Sequence, residues 1–268
     1  MFIIVNLVTI KDIYGLASID FLMLTMKVKN YIFFNILTIA MSEKYQKLLE
    51  IVKRELKGAS PAHDISHVMR VYDLCLLLAK YEKNVDLDVL KTAALLHDIA
   101  RVKESQNIDH TVLGAEVSEK ILRELGYPEE KINHIKHCII AHRFRGAVKP
   151  RTIEAKILSD ADKLDVLGAI GIARSYILAG EYGQKIYVDT PIDKYIKENL
   201  VGGKHDGRIK DLSKHAPNIE FETKFKHIPK KLYTRKAKEI AKERLNSYVS
   251  FLKGLKRKLK VNYKVIVL

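Results

Sequence analysis

An all-α fold is predicted by three features of this 268-residue sequence. Apolar residues recur at three-to-four spacing from Ser42 to about Lys260, the period of a half-buried helix. Start and stop residues (Gly58, Pro61, Gly126, Pro128, Pro191) punctuate these stripes. No internal repeat is present, so a stacked solenoid is excluded.

The elements follow in order. Leu48, Val52 and Leu56 form one stripe that Gly58 stops. Ser60-Pro61 suits the entry of a helix carrying Ile65, Val68, Val71, Leu74, Cys75 and Leu78. A third helix runs from about Asp86 through Leu90, Ala93, Ala94 and Leu96, and a fourth from about Thr111 to Gly126. Pro128 precedes a fifth that reaches His142, with Ile132, Ile135, Cys138 and Ile139 on its apolar side. One long helix is expected from Thr152 to about Ala179, and a shorter one after Thr190-Pro191. A basic amphipathic helix spans Thr234 to about Lys260.

This reading gives four parts: an apolar leader, 1–40; a helical core, 41–200; an exposed loop, 201–218, rich in Gly, Lys, His and Asp; and a basic C-terminal helix with its tail, 219–268. The leader is β-branched, and so is the tail VNYKVIVL, which allows a minor strand pair between the termini. Met41 opens the amphipathic pattern abruptly, so the working domain is expected to start there. No run in the leader reaches the roughly 18 apolar residues of a spanning helix, and no secretory signal is evident. Stable membrane insertion is not expected.

Composition narrows the classes further. With 47% hydrophobic residues the chain buries a sizeable core, which excludes a wholly disordered protein. Two cysteines, Cys75 and Cys138, make neither a disulfide framework nor a cysteine-only zinc site, and a reducing cytoplasm is expected. The formal net charge of +15 favours anionic partners.

The histidines and aspartates are placed unusually. His97 follows Ala93 by four and Leu90 by seven, so it shares their inward face, and Asp98 is its neighbour. Such a pair is costly to bury unless a partner, such as a divalent metal, satisfies it. His67 stands near the start of the second helix in HDISH, His110 opens the fourth and His142 closes the fifth. Asp160, Asp162 and Asp165 sit in the otherwise apolar run ILSDADKLDVLGAIGIAR. Spacing leaves open which of the three faces a metal. Each feature alone has a plainer reading, since a lone histidine on an apolar face is usually a hydrogen-bonded core residue. Imidazole and carboxylate together suit Mn, Fe, Co, Ni or Zn, with no thiolate at these places to force zinc, and Fe or Mn is the expected ion.

The segments AHDISHVMRV, ALLHDIAR, HTVLGAE, IIAH and ILSDADKLDVLGAIGIAR together resemble the HD-domain metal-dependent phosphohydrolases. The resemblance covers about Ser42 to Leu255 and implies an HD-type helical bundle. It further implies that His67, His97, Asp98 and Asp162 ligate a metal, and that His110 and His142 complete a second site in two-metal members. His134 and His137 are read as surface histidines.

Hydrolysis of a phosphoester by a metal-activated water is the implied reaction. Asp98 would orient the water, and Arg101 and Lys163 head the cations that would meet developing charge, ahead of Arg70 and Arg143. Glu104 is a further acid or base candidate. The expected partner is a small phosphorylated substrate. The most specific expectation, carried by resemblance alone, is the archaeal branch that opens dihydroneopterin 2′,3′-cyclic phosphate in methanopterin biosynthesis. Nucleoside triphosphate pyrophosphohydrolysis is the enzymatic alternative. A different class, nucleic-acid binding or a regulatory role, draws on fourteen Lys and Arg against Glu239 and Glu243 between Thr223 and Lys260. Self-association stays open.

Overall fold

The structure, a computed structural model, describes residues 43–103, 109–144, 148–205 and 207–259. The leader, the C-terminal tail with the expected strand pair, and Glu104 lie outside the described residues. The chain divides into two compact units, Met1–Leu49 and Glu50–Leu268, and of the first only the opening of helix α1 (43–55) is described.

The described residues are helical, and their one β feature is an isolated antiparallel bridge between Leu200 and Ile209. After α1 come α2 (Ile65–Ala79), α3 (Leu87–Leu96), α4 (His110–Glu124), α5 (Glu129–Ala141), α6 (Ile153–Asp165) and α7 (Gly168–Glu181). Helices α8 (Ile192–Asn199), α9 (Pro217–Thr223) and α10 (Arg235–Leu259) complete the fold. None is long and apolar enough to cross a membrane.

Acidic caps set several helix starts. Asp64 accepts from the Ser66 and His67 amides, Asp86 from Asp88 and Val89, and Asp109 from Thr111. The Asp64 cap moves the start of α2 four residues beyond the expected Ser60-Pro61 entry, where Ser60 Oγ instead accepts from the Ala62 amide.

Helices α2, α3, α5 and α6 pack against one another, with α4 against α5. The predicted stripes form this core: Val68, Val71, Cys75, Leu78, Leu90, Ala93, Ile135, Ile139 and Leu158 are all at 0% exposure. Each Leu, Ile or Val so buried contributes about 1.5–3 kcal/mol. On α10 the apolar side, Ala237, Ala241 and Tyr248, is buried, and the helix rests on α7 and α6.

Two expectations need correction. The single helix expected from Thr152 to Ala179 is two, broken after Asp165. Gly168 takes φ +70°, and a Cβ on Gly171 would stand 2.0 Å from the Val166 carbonyl oxygen, so glycines at both positions allow the turn. The second concerns 201–218, whose last residues are not exposed. His215, Ala216, Pro217 and Asn218 are buried, because α9 starts at Pro217 and Ala216 and Ile219 join Tyr195, Ile196 and Leu200 in a small apolar cluster.

Candidate metal centre

Helix ends deliver the imidazoles. At a helix C-terminus the last carbonyls have no intrahelical partner. His97, capping α3, donates from Nδ1 to Ala94 O at 2.8 Å, and His142, capping α5, donates from Nδ1 to Ile139 O at 2.7 Å. A carbonyl only accepts, so Nδ1 carries the hydrogen and Nε2 keeps its lone pair. His67, in the first turn of α2, has Nδ1 2.8 Å from Asp165 Oδ2, and its Nε2 lies 3.3 Å from His97 Nε2.

Asp98, 4% exposed, stands between two histidine groups. Its Oδ2 is 3.5 Å from His67 Nε2 and 3.9 Å from His97 Nε2. Its Oδ1 is 3.4 Å from His110 Nε2 and 3.8 Å from His142 Nε2. Two buried sets of donor atoms result, His67–His97–Asp98 and Asp98–His110–His142, each with all its atoms within 4.8 Å of one another.

These spacings fit a metal ion. Donors about 2.0–2.2 Å from a common ion stand about 3–3.6 Å from each other in octahedral or tetrahedral arrangement. Several of the donor pairs have that separation, and two imidazole lone pairs that face each other at 3.3 Å need a cation or a proton between them.

Electrostatics favour neutral imidazoles at His97 and His142 beside a charged carboxylate. Burial pushes His142 down to about 3 and also lowers His97. For Asp98 burial acts upward, but the neighbouring imidazoles of His97, His110 and His67 outweigh it and hold the carboxyl well below its usual range. His67 behaves oppositely: burial lowers it, yet Asp165 and Asp98 leave it raised.

The three aspartates of α6 separate by role. Asp160 accepts from the Tyr233 and Thr234 amides and from Thr234 Oγ1, which anchors the start of α10. Asp165 accepts from His67, Arg70 and Arg174. Asp162 turns toward the cluster, with Oδ1 3.5 Å from His67 Nε2 and 23% of its side chain exposed, although it belongs to neither of the two sets.

The cations divide likewise. Arg101 lies at the cluster, with Nη1 3.2 Å from His110 Nδ1 and Nη2 3.1 Å from His63 Nε2. Lys163 is buried behind it, where its ammonium donates to His142 O, Ser159 O and Ser159 Oγ. Burial pulls Lys163 down to about 8. Arg70 binds Asp165, and Arg143 binds Asp109. His134 bonds Thr152 and Glu154, and His137 accepts from the Arg151 amide.

A cavity of about 210 Å³ adjoins this centre, and His63, Arg101, Arg174, His215, Glu220 and Lys224 are among its lining. Spacing singles out neither His63 nor Arg174, although both stand inside segments that carry the resemblance. Arg174 is 5% exposed, and its Nε has no hydrogen-bond partner among the described residues.

Comparisons with known proteins agree with this geometry. The HD domain family profile matches residues 64–167. YpgQ of Bacillus subtilis is 31% identical over 210 residues, covering 77% of this chain and 89% of that protein. Its crystal structure in complex with ADP superposes with a TM-score of 0.61 at 25% identity, over 82% of this chain and 96% of that one. An HD-superfamily hydrolase from Bacillus thuringiensis superposes with a TM-score of 0.60 at 26% identity, over 82% and 99% of the two chains. The 3′-5′ exoribonuclease YhaM of Bacillus subtilis is 28% identical over 139 residues, and there the match spans 45% of this chain and 44% of the enzyme. Since the matched stretch opens at the Asp64 cap and closes at Leu167, it takes in all six of the predicted ligands, and the chain belongs to the HD-domain hydrolase superfamily.

Proposed function

We propose that the chain is a metal-dependent phosphohydrolase acting on a small nucleotide. The observation that carries this reading is the Asp98 carboxylate, which faces a histidine pair with each oxygen. His67, His97, Asp98 and Asp162 would hold a first ion, and Asp98, His110 and His142 would hold a second. A divalent ion there acidifies a water and polarises a phosphoryl oxygen.

The chain's own groups supply the rest. With both oxygens facing imidazoles, Asp98 would serve as a ligand rather than orient the water, and Arg101, beside His110 and on the cavity wall, meets the negative charge that develops on phosphorus oxygens. Lys163 positions His142 through the carbonyl rather than touching substrate. The non-reacting part of the substrate occupies the adjoining cavity. At about 210 Å³ this is below the roughly 300–1,000 Å³ of a drug-sized pocket, so it takes one compact group.

Among substrates, a nucleoside triphosphate takes precedence over dihydroneopterin 2′,3′-cyclic phosphate, because the relative YpgQ has been crystallised with ADP and no comparison favours the pterin. Water then attacks the α-phosphorus, the α–β bridging bond breaks, and nucleoside monophosphate and pyrophosphate leave. Nucleic acid is the second reading, supported by the exoribonuclease relative and by the basic face of α10.

The test is anaerobic purification, removal of metal by chelator, and re-addition of Mn, Fe, Co, Ni or Zn with nucleoside triphosphates, the cyclic phosphate and single-stranded RNA, read by ³¹P NMR. Turnover of a triphosphate that chelator abolishes is expected. No metal-dependent turnover of any phosphoester would overturn the reading.

A further inference from the structure

We infer that Asp165 is a positioning residue of this centre, one that decides which nitrogen of His67 faces the ion without ligating the ion itself. The inference rests on the metal-centre reading above. It starts from an asymmetry between helix ends. His97 and His142 cap C-termini, where spare backbone carbonyls accept their Nδ1 hydrogens. His67 lies in the first turn of α2, where the spare backbone groups are N–H donors, and those cannot accept. Its Nδ1 acceptor therefore comes from another helix, and Asp165 Oδ2 takes that place at 2.8 Å.

A carboxylate in this place must keep its charge and must not become a ligand. Both conditions are met by two arginines. Arg70 donates to Oδ1 from Nε at 2.8 Å and to Oδ2 from Nη2 at 3.0 Å, and Arg174 donates to Oδ2 from Nη1 at 2.7 Å. With the His67 hydrogen, Oδ2 receives three N–H groups and Oδ1 one, so the oxygen that meets His67 has no lone pair left for an ion. Asp165 is 1% exposed, so no water competes. Its location depends on the chain break that follows it: α6 ends at Asp165, and the turn through Gly168 starts α7, which carries Arg174. Among these three histidines His67 alone has a charged Nδ1 acceptor, which makes its Nε2 the more basic donor and fixes the ring.

Two measurements test this. In the zinc-loaded wild-type protein, long-range ¹H–¹⁵N correlation of labelled histidine, with His67 assigned by its absence in H67Q, is expected to show hydrogen on Nδ1. A His67 signal with Nδ1 unprotonated would overturn the inference whatever any variant does. In chelator competition for Zn²⁺, Asp165→Asn is expected to weaken metal binding by about 10- to 100-fold, the usual effect of losing an outer partner of a ligating histidine. Asp160→Asn should change it less than twofold. Wild-type affinity in Asp165→Asn would also sink the idea, whereas a wild-type protein that binds no metal would sink the metal-centre reading instead.

Discussion

His67 and His97 face each other through their Nε2 atoms at 3.3 Å, although each engages its Nδ1 elsewhere, one with Asp165 and the other with Ala94 O. Two such lone pairs in a dry site repel unless a positive charge lies between them. A proton can serve that purpose in the metal-free protein, and a divalent ion displaces it.

Metal should therefore stabilise the fold. At free metal 100 times Kd the gain is about 2.7 kcal/mol, and for a domain of this size that raises Tm by about 5–10 °C. Thermal unfolding of chelator-treated protein with and without added Mn²⁺ or Zn²⁺ checks it, and an unchanged Tm counts against a buried ion.

Asp98 serves both donor sets, which separates its variants from those of a single histidine. Asp98→Asn should lose both ions, whereas His142→Ala should lose one of two. Elemental analysis of the purified variants gives the count. One ion in the wild type, unchanged in His142→Ala, would reduce the second set to a hydrogen-bond network.

Asp160 is assigned to structure rather than chemistry. Asp160→Ala strips the acceptor from two amides and a hydroxyl at the start of α10, and leaving buried donors unpaired costs about 1–3 kcal/mol each. Urea unfolding should show a loss of this order, with metal stoichiometry unchanged.

The thiols should be inert in the native state. Burial raises Cys75 well above its ordinary value and Cys138 to about 12, and both residues are at 0% exposure. A thiolate is the reactive form, so a disulfide reagent at pH 8 should titrate neither thiol until denaturant is added, and both thereafter.

Gly171→Ala would push a methyl group against the Val166 carbonyl at the break between α6 and α7. A loss of at least about 1–3 kcal/mol is expected, as for overpacking. Because the same turn leads into the helix that carries Arg174, chelator competition should also show weaker metal binding.

Much of this was legible in the sequence because periodicity reports burial. Val68, Val71, Ile135 and Ile139 follow the three-to-four stripe and are buried as expected. The inward direction of His97 and His142 followed from the same spacing, since each shares a face with apolar residues. The break after Asp165 left no such mark. Its flanks are apolar on both sides, so helix period continues through Gly168 and Gly171 while the backbone does not. Nor could spacing sort the three aspartates. Their roles are decided by Thr234, Arg70 and Arg174, partners that come from other helices or from loops. Lys163 is expected from the sequence among the cations that meet developing charge, but its stem carries the ammonium back to the His142 carbonyl.

The donor groups lie between His67 and Asp162 in the chain, whereas His215, Glu220 and Lys224, which also line the cavity, belong to a later stretch outside the HD match. Glu220 is held there by His215 at 3.0 Å and by Lys224 at 3.1 Å, independently of any group that holds an ion. The lining is thus drawn from both portions of the polypeptide, Arg101 inside the HD match and His215, Glu220 and Lys224 beyond it, so exchanging the later three would reshape the cavity without replacing a donor group.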